Sequence, residues 1–148
     1  MFSAANLRRA PGRVAAGSLI LHSGQVKLKG DAGFAQGVHA VFCGTYPALK
    51  PVPPAVLLKA LGVLEITVGS LLLLPLIGAK LAGTALTGYS LALLGMYLRT
   101  PGMHDNRLLP TLAGTAFAKD AWLTGIGTSL VLDATTSTKA ARRTTRSA

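Results

Sequence analysis

Charged residues are scarce in this sequence, and acidic residues are the scarcest. Only 14% of the 148 residues are Asp, Glu, Lys or Arg, and five acidic residues stand against 15 basic ones. A soluble domain usually carries about a quarter of its residues as charged side chains. Half of this chain is hydrophobic, and its charges collect in short blocks between long apolar runs. The composition therefore favours a chain whose main solvent is lipid.

Cysteine, aromatic residues and metal-binding motifs are also rare or absent. Cys43 is the single cysteine, which excludes an intrachain disulfide and a CxxC redox motif. No HExxH motif or Cys/His cluster is present, so we predict no metal site. The net charge of +10 would suit a nucleic-acid partner, but aromatic residues make up only 5% of the chain and no nucleic-acid-binding motif accompanies the basic residues. We therefore predict no nucleic-acid partner.

Four apolar segments predict an all-α fold, an integral membrane four-helix bundle. A bilayer core requires about 20 apolar residues per helix, and the second segment meets this with only Lys59 and Glu65 ionisable. The first segment is apolar only in its first half and resembles a signal peptide. It lacks a convincing cleavage site, so we interpret it as a spanning helix. The predicted spans are residues 10–28, 56–77, 81–98 and 108–132.

The segments outside the spans are assigned by composition. Between the first two spans, Phe34, Val38, Val41 and Phe42 recur at roughly helical spacing. That pattern predicts a short interfacial helix lying along the membrane surface. A basic N-terminal tail, a membrane domain and a basic C-terminal tail, predicted to be disordered, make up the chain. Their bounds are residues 1–12, 13–133 and 134–148.

Basic residues near the spans predict the orientation of the chain. Lysine and arginine near membrane helices are enriched on the cytoplasmic side. The two tails and the short reversal around Lys80 carry more of them than the opposite side does. We therefore expect the protein to be multi-pass, with both termini in the cytoplasm.

Five polar side chains inside the predicted spans form the candidate site. They are Glu65, Lys119, Asp120, His22 and Gln25. A charged group near the bilayer centre costs at least about 2.5–3.5 kcal/mol, so each one needs a partner or a cavity. At about 1.5 Å per residue these groups lie at similar depth. We expect Glu65 to pair with Lys119 across helices, and Asp120 to pair with His22, Gln25 or a hydroxyl.

The polar layer has three interpretations. It can bind a polar headgroup, a quinone or a small substrate, it can only fix the register of the helices, or it can belong to a proton or ion path. Small residues beside the polar ones, such as Gly62 and Gly69 beside Glu65, predict that the stripe faces neighbouring helices. His22 and Gln25 continue a similar stripe from Ser18. No residue is assigned a catalytic role.

Three short motifs follow one another in an order seen in one membrane family. They are LHSGQVKL with His22, Gly24 and Lys27, CGTYPA at residues 43–48, and LGVLEITVGSLLLL with Glu65 and Gly69. Over residues 13–133 the chain resembles the DoxX-like membrane proteins. The resemblance implies a four-helix protein of the bacterial inner membrane, linked to a redox system such as a thiosulfate:quinone oxidoreductase. The spans lack a cysteine pair, which argues against an autonomous thiol redox reaction.

The resulting functional prediction is a small membrane subunit or accessory factor. Its surroundings would be the lipid bilayer and a protein partner or membrane complex. No cofactor is demonstrable from the residues, and quinone is the candidate that the resemblance suggests. The alternatives are a structural or interaction protein without a ligand site, and a small transporter.

Overall fold

The computed structural model describes residues 4–146, with side chains as far as residue 137. Within this range the fold is all-α, as predicted, and 79% of the chain is helical. A 3₁₀ turn at Pro47–Leu49 lies between the second and third helices. The helices are α1 (Ala4–Leu28), α2 (Ala32–Thr45), α3 (Pro54–Leu73), α4 (Ala79–Arg99) and α5 (Thr115–Arg146).

Two of the described helices, α3 and α4, are long and apolar enough to cross a membrane. They correspond to the second and third predicted spans. Helix α1 begins six residues before the predicted first span, and its charged residues Arg8, Arg9 and Arg13 lower its mean hydropathy. The predicted short helix between the first two spans is present as α2, where the Asp31 carboxylate accepts a hydrogen bond from the Phe34 N–H at 2.8 Å.

Helix α5 differs from the predicted fourth span at both ends. It starts at Thr115, because the preceding residues fold into a tight loop. In that loop the Asp105 carboxylate accepts the N–H groups of Arg107 and Leu109, both at 2.8 Å. Leu108 has a φ of 61°, which a helix does not allow.

At its C-terminal end, α5 continues through Arg146, where the sequence predicts a disordered tail. Alanine, lysine and arginine, which recur in this segment, are good helix formers. The side chain of Asp133 also ties the helix to Arg8 and Arg9 at the start of α1. Hydrogen bonds from Arg9 and Arg8 hold the pKa of Asp133 below its usual value. Residues 147–148 of the predicted tail lie outside the described residues.

The long helices associate in two close pairs, α1 with α3 and α4 with α5. Each pair meets where glycines face each other. A Cβ added to Gly24 would lie 2.7 Å from the Gly62 carbonyl oxygen, and one added to Gly83 would lie 2.7 Å from that of Gly127. Only glycine allows backbones to approach this closely. The expectation that Gly62 faces a neighbouring helix is confirmed.

One apolar core joins the two helix pairs. Ile20 of α1, Leu72 of α3, Leu86 of α4 and Leu130 of α5 are all buried in it. The outer faces of the same four helices carry exposed large apolar side chains, among them Leu19, Val63, Leu91 and Trp122. Apolar side chains therefore lie on the outside of the helices as well as in the core.

Candidate functional site

A cavity of about 670 Å³ lies between α2 and the four long helices. This volume is within the range of small-molecule binding sites, about 300–1,000 Å³. Its walls are mostly apolar, and α2 supplies Phe34, Val38, Val41 and Phe42. Its polar lining comes from the other helices: Ser23, Lys27, Glu65, Tyr89 and Lys119. The cavity therefore has an apolar side and a charged side.

Glu65 is the centre of the charged side. Its side chain is only 4% exposed, and Lys27 Nζ donates to both of its carboxylate oxygens at 2.8 Å. Tyr89 Oη donates to Glu65 Oε1 at 2.6 Å, and Lys27 Nζ also donates to Ser23 Oγ at 2.9 Å. A buried charge is tolerated when it is paired and hydrogen-bonded. This network links α1, α3 and α4 through one carboxylate.

The backbone of α1 and α3 explains how Lys27 reaches Glu65. Gly24 and Gly62, which touch across the helix pair, each lie three residues before one member of the ion pair. Residues three apart lie on neighbouring parts of the same helix face. The close glycine contact thus brings Lys27 and Glu65 within hydrogen-bonding distance. Ser23 precedes Lys27 by one helical turn, so the two side chains meet on the surface of α1.

The predicted pairing of Glu65 with Lys119 is wrong. Glu65 binds Lys27, which was not among the predicted site residues. Lys119 does line the same cavity as Glu65, although the two residues are not paired. Because α5 starts at Thr115, Lys119 lies in the second turn of the helix and not near its middle. Lys27 is the lysine of the LHSGQVKL motif, and its place in that motif was the signal in the sequence that could have identified it.

The ammonium group of Lys119 makes one hydrogen bond and one longer contact with a carboxylate within the described residues. Its Nζ donates to the Ala116 carbonyl at 2.7 Å and lies 3.7 Å from Asp120 Oδ2. The side chain of Lys119 is 42% exposed, whereas that of Asp120 is 0% exposed. Consecutive residues on a helix point in directions about 100° apart. The long lysine side chain bends back far enough to approach the carboxylate.

Asp120 has no hydrogen-bond partner for either carboxylate oxygen within the described part of the chain. The prediction that it pairs with His22, Gln25 or a hydroxyl is therefore wrong. The nearby hydroxyl of Thr124 bonds instead to Ser90 Oγ at 2.9 Å and to the Asp120 carbonyl at 2.8 Å. Buried polar groups in proteins are nearly always hydrogen-bonded, so Asp120 is an exception that needs a function or a counter-charge.

His22 and Gln25 lie outside the cavity. Both are exposed on α1, as is Ser18 before them. The buried residues of α1 are Ala16, Gly17, Ile20 and Gly24, which lie on the opposite face of the helix. Close packing against α3 decides which face is buried. The small residues face α3, and the polar stripe is left exposed. The predicted site thus retains Glu65 and Lys119, with Asp120 buried behind Lys119.

Three residues of the polar network were not among the predicted site residues: Ser23, Lys27 and Tyr89. Tyr89 gave no signal in the sequence, since a tyrosine in an apolar helix is common. Within the described residues, no group of three or more His, Cys, Asp or Glu is placed to hold a metal ion. No family model, curated protein or solved structure matches this chain.

Proposed function

We propose that the chain is a multi-pass protein of the bacterial inner membrane, crossing the bilayer four times with both termini in the cytoplasm. The apolar character of α3 and α4 supports two of these spans. Exposed apolar residues on α1 and α5, such as Leu19 and Trp122, support the other two. Helix α1 packs along α3, and α5 along α4, so each less apolar helix has an apolar helix as its neighbour.

Cysteine labelling tests this topology. Asn106 lies in the loop between α4 and α5, and Lys80 lies at the reversal between α3 and α4; both are exposed. In a Cys43→Ser background, we expect a membrane-impermeant maleimide to label Asn106→Cys in intact spheroplasts. Lys80→Cys should react only after the membrane is permeabilised. The reverse pattern would contradict the orientation, and equal labelling of both sites in intact spheroplasts would contradict the membrane topology.

We further propose that the cavity binds an amphipathic ligand, quinone-like or lipid-derived, and that the protein acts as a small membrane subunit or accessory factor. The observation that carries this proposal is the cavity of about 670 Å³ with an apolar side and a charged side. Ligand sites are mainly apolar, with a few well-placed polar groups that fix the orientation of the ligand. Such a cavity suits a molecule with an apolar body and a polar head.

The two sides of the cavity have different tasks in this proposal. Phe34, Val41 and Phe42 cover the apolar part of the ligand, since burying apolar surface stabilises the complex by about 25 cal/mol per Å². The ion pair of Lys27 with Glu65 is held rigidly by Ser23 and Tyr89. A rigid polar group positions a ligand without an additional loss of side-chain entropy. The DoxX-like motifs support the link of this ligand to a quinone-dependent system.

Filling the cavity tests ligand binding. Gly37 lines the cavity and Gly44 does not, although both lie on α2 with open space around an added Cβ. We expect Gly37→Leu to weaken binding of decylubiquinone or oleate by at least about tenfold, which corresponds to about 1.4 kcal/mol. Gly44→Leu should leave binding unchanged. Titration calorimetry of the protein purified in a neutral detergent gives both affinities.

The same experiment separates the proposal from a purely structural role of the polar layer. If neither decylubiquinone nor oleate binds the unmodified protein, the ligand site is wrong and the layer only fixes helix register. Equal binding by the Gly37→Leu and Gly44→Leu variants would place any binding elsewhere on the molecule.

A further inference from the structure

The hydrogen-bond donors of the charged side are almost all occupied. An ammonium group has three N–H donors, and those of Lys27 are accepted by Ser23 Oγ and the two oxygens of Glu65. The hydroxyl hydrogen of Tyr89 is donated to Glu65 as well. Neither the ammonium group of Lys27 nor the hydroxyl of Tyr89 therefore has a hydrogen left to donate to the polar head of a ligand.

Lys119 is different, because its ammonium group keeps donors that no described residue accepts. One N–H is donated to the Ala116 carbonyl, and the Asp120 carboxylate at 3.7 Å is beyond hydrogen-bonding distance. The side chain is 42% exposed and lines the cavity. A ligand head placed in the cavity can therefore accept hydrogen bonds from Lys119.

The charge that faces the cavity is positive. Among the described residues that line it, Lys27 and Lys119 are cationic and Glu65 is anionic. The balancing carboxylate, Asp120, is fully buried and does not line the cavity. Lys27 and Glu65 compensate each other on the cavity surface, whereas the carboxylate nearest to Lys119 lies behind that surface at 3.7 Å.

Asp120 provides a second, independent observation at the same place. Its side chain is 0% exposed, and within the described residues neither oxygen accepts a hydrogen bond. Its nearest cation is Lys119, at a distance that leaves the ammonium free to move. Asp120 thus lies behind Lys119 as a buried carboxylate that can hold the Lys119 side chain in place when no ligand competes for it.

We infer that the cavity selects amphiphiles with an anionic head, a carboxylate or a phosphate, which Lys119 binds. This inference rests on the proposed ligand site and specifies the class of its ligand. A charge-assisted hydrogen bond contributes about 1.5–3 kcal/mol, which corresponds to about ten- to a hundredfold in affinity. A neutral quinone head accepts the same hydrogen bond without the charge and binds more weakly.

Matched probes test the inference by titration calorimetry in a neutral detergent. Oleate and oleyl alcohol share one chain and differ in the charge of the head. We expect oleate to bind about ten- to a hundredfold more tightly than oleyl alcohol. Decylubiquinone should resemble the alcohol, and hexadecyl phosphate extends the comparison to a phosphate head. Tighter binding of oleate than of hexadecyl phosphate identifies a carboxylate ligand, and the reverse order identifies a phosphate ligand.

Variants assign the preference to Lys119. We expect Lys119→Met to abolish the difference between oleate and oleyl alcohol, and Lys119→Arg to keep it. Lys59→Met is the matched control, because Lys59 is exposed on α3 and does not line the cavity. A preference for oleate that survives in Lys119→Met would overturn the role of Lys119. The comparison of probes on the unmodified protein needs no variant, so a folding defect cannot remove the test.

The outcomes separate this inference from the proposal on which it rests. If the unmodified protein binds oleate and oleyl alcohol with equal affinity, the anionic ligand class is wrong. If Gly37→Leu then weakens binding of both probes, the cavity is still a ligand site. Absence of binding for every probe would overturn both.

Discussion

Replacement of Lys27 by methionine is expected to destabilise the folded protein by about 3–5 kcal/mol. The change removes the cation that holds both oxygens of Glu65 at 2.8 Å. It leaves a carboxylate that is only 4% exposed without its counter-charge, and the hydroxyl of Tyr89 cannot neutralise it. The free energy of unfolding, measured by denaturant titration in detergent, reports this loss.

The double variant tests whether the loss comes from the ion pair. Glu65→Gln in the Lys27→Met background removes the unpaired charge, so we expect it to restore most of the lost stability. Lys59→Met is the control for loss of an exposed lysine from a membrane helix, and it should change stability by no more than about 0.5 kcal/mol. Independent, additive effects of the two substitutions would show that Lys27 and Glu65 are not coupled.

Replacement of Arg13 by methionine is the second large effect that we expect, about 3 kcal/mol of lost stability. Its guanidinium donates to four carbonyl oxygens at the end of α3 and beyond it: those of Leu71 at 3.0 Å, Leu72 at 2.7 Å, Leu74 at 2.9 Å and Ile77 at 3.0 Å. The last carbonyls of a helix have no partner within it. A single side chain of α1 therefore satisfies two of the last carbonyls of α3 and two in the turn that follows it.

Lysine should not substitute for Arg13. An ammonium group is a point donor, whereas the planar guanidinium presents five N–H groups in a fixed arrangement. We expect Arg13→Lys to lose most of the stability that Arg13→Met loses. Arg107, exposed in the loop before α5, is the control; its change to methionine should have little effect on unfolding. Full stability of Arg13→Lys would show that charge alone, without the fork of donors, supports this helix end.

Helix α5 shows why its boundaries were hard to predict. Residues 108–114 are apolar enough to extend a span, but Asp105 and the positive φ of Leu108 fold them into a loop. At the other end, the basic composition after Asp133 indicated disorder, whereas the helix continues to Arg146. Local hydrogen bonds set the first boundary, and Arg8 and Arg9 of α1 bind Asp133, where the predicted span ended but the helix continues. Neither effect is visible in hydropathy.

The sequence by itself determined the all-α fold and the apolar segments α3 and α4, and it identified Glu65 and Lys119, which both line the cavity. These features depend on composition and on position along the chain. The partner of Glu65, the burial of Asp120 and the exposure of His22 were decided only by the tertiary structure. Helical periodicity defines the faces of a single helix, but it does not define how two helices are rotated and shifted against each other. The glycine contact between α1 and α3 sets that rotation and brings Lys27, not Lys119, to Glu65.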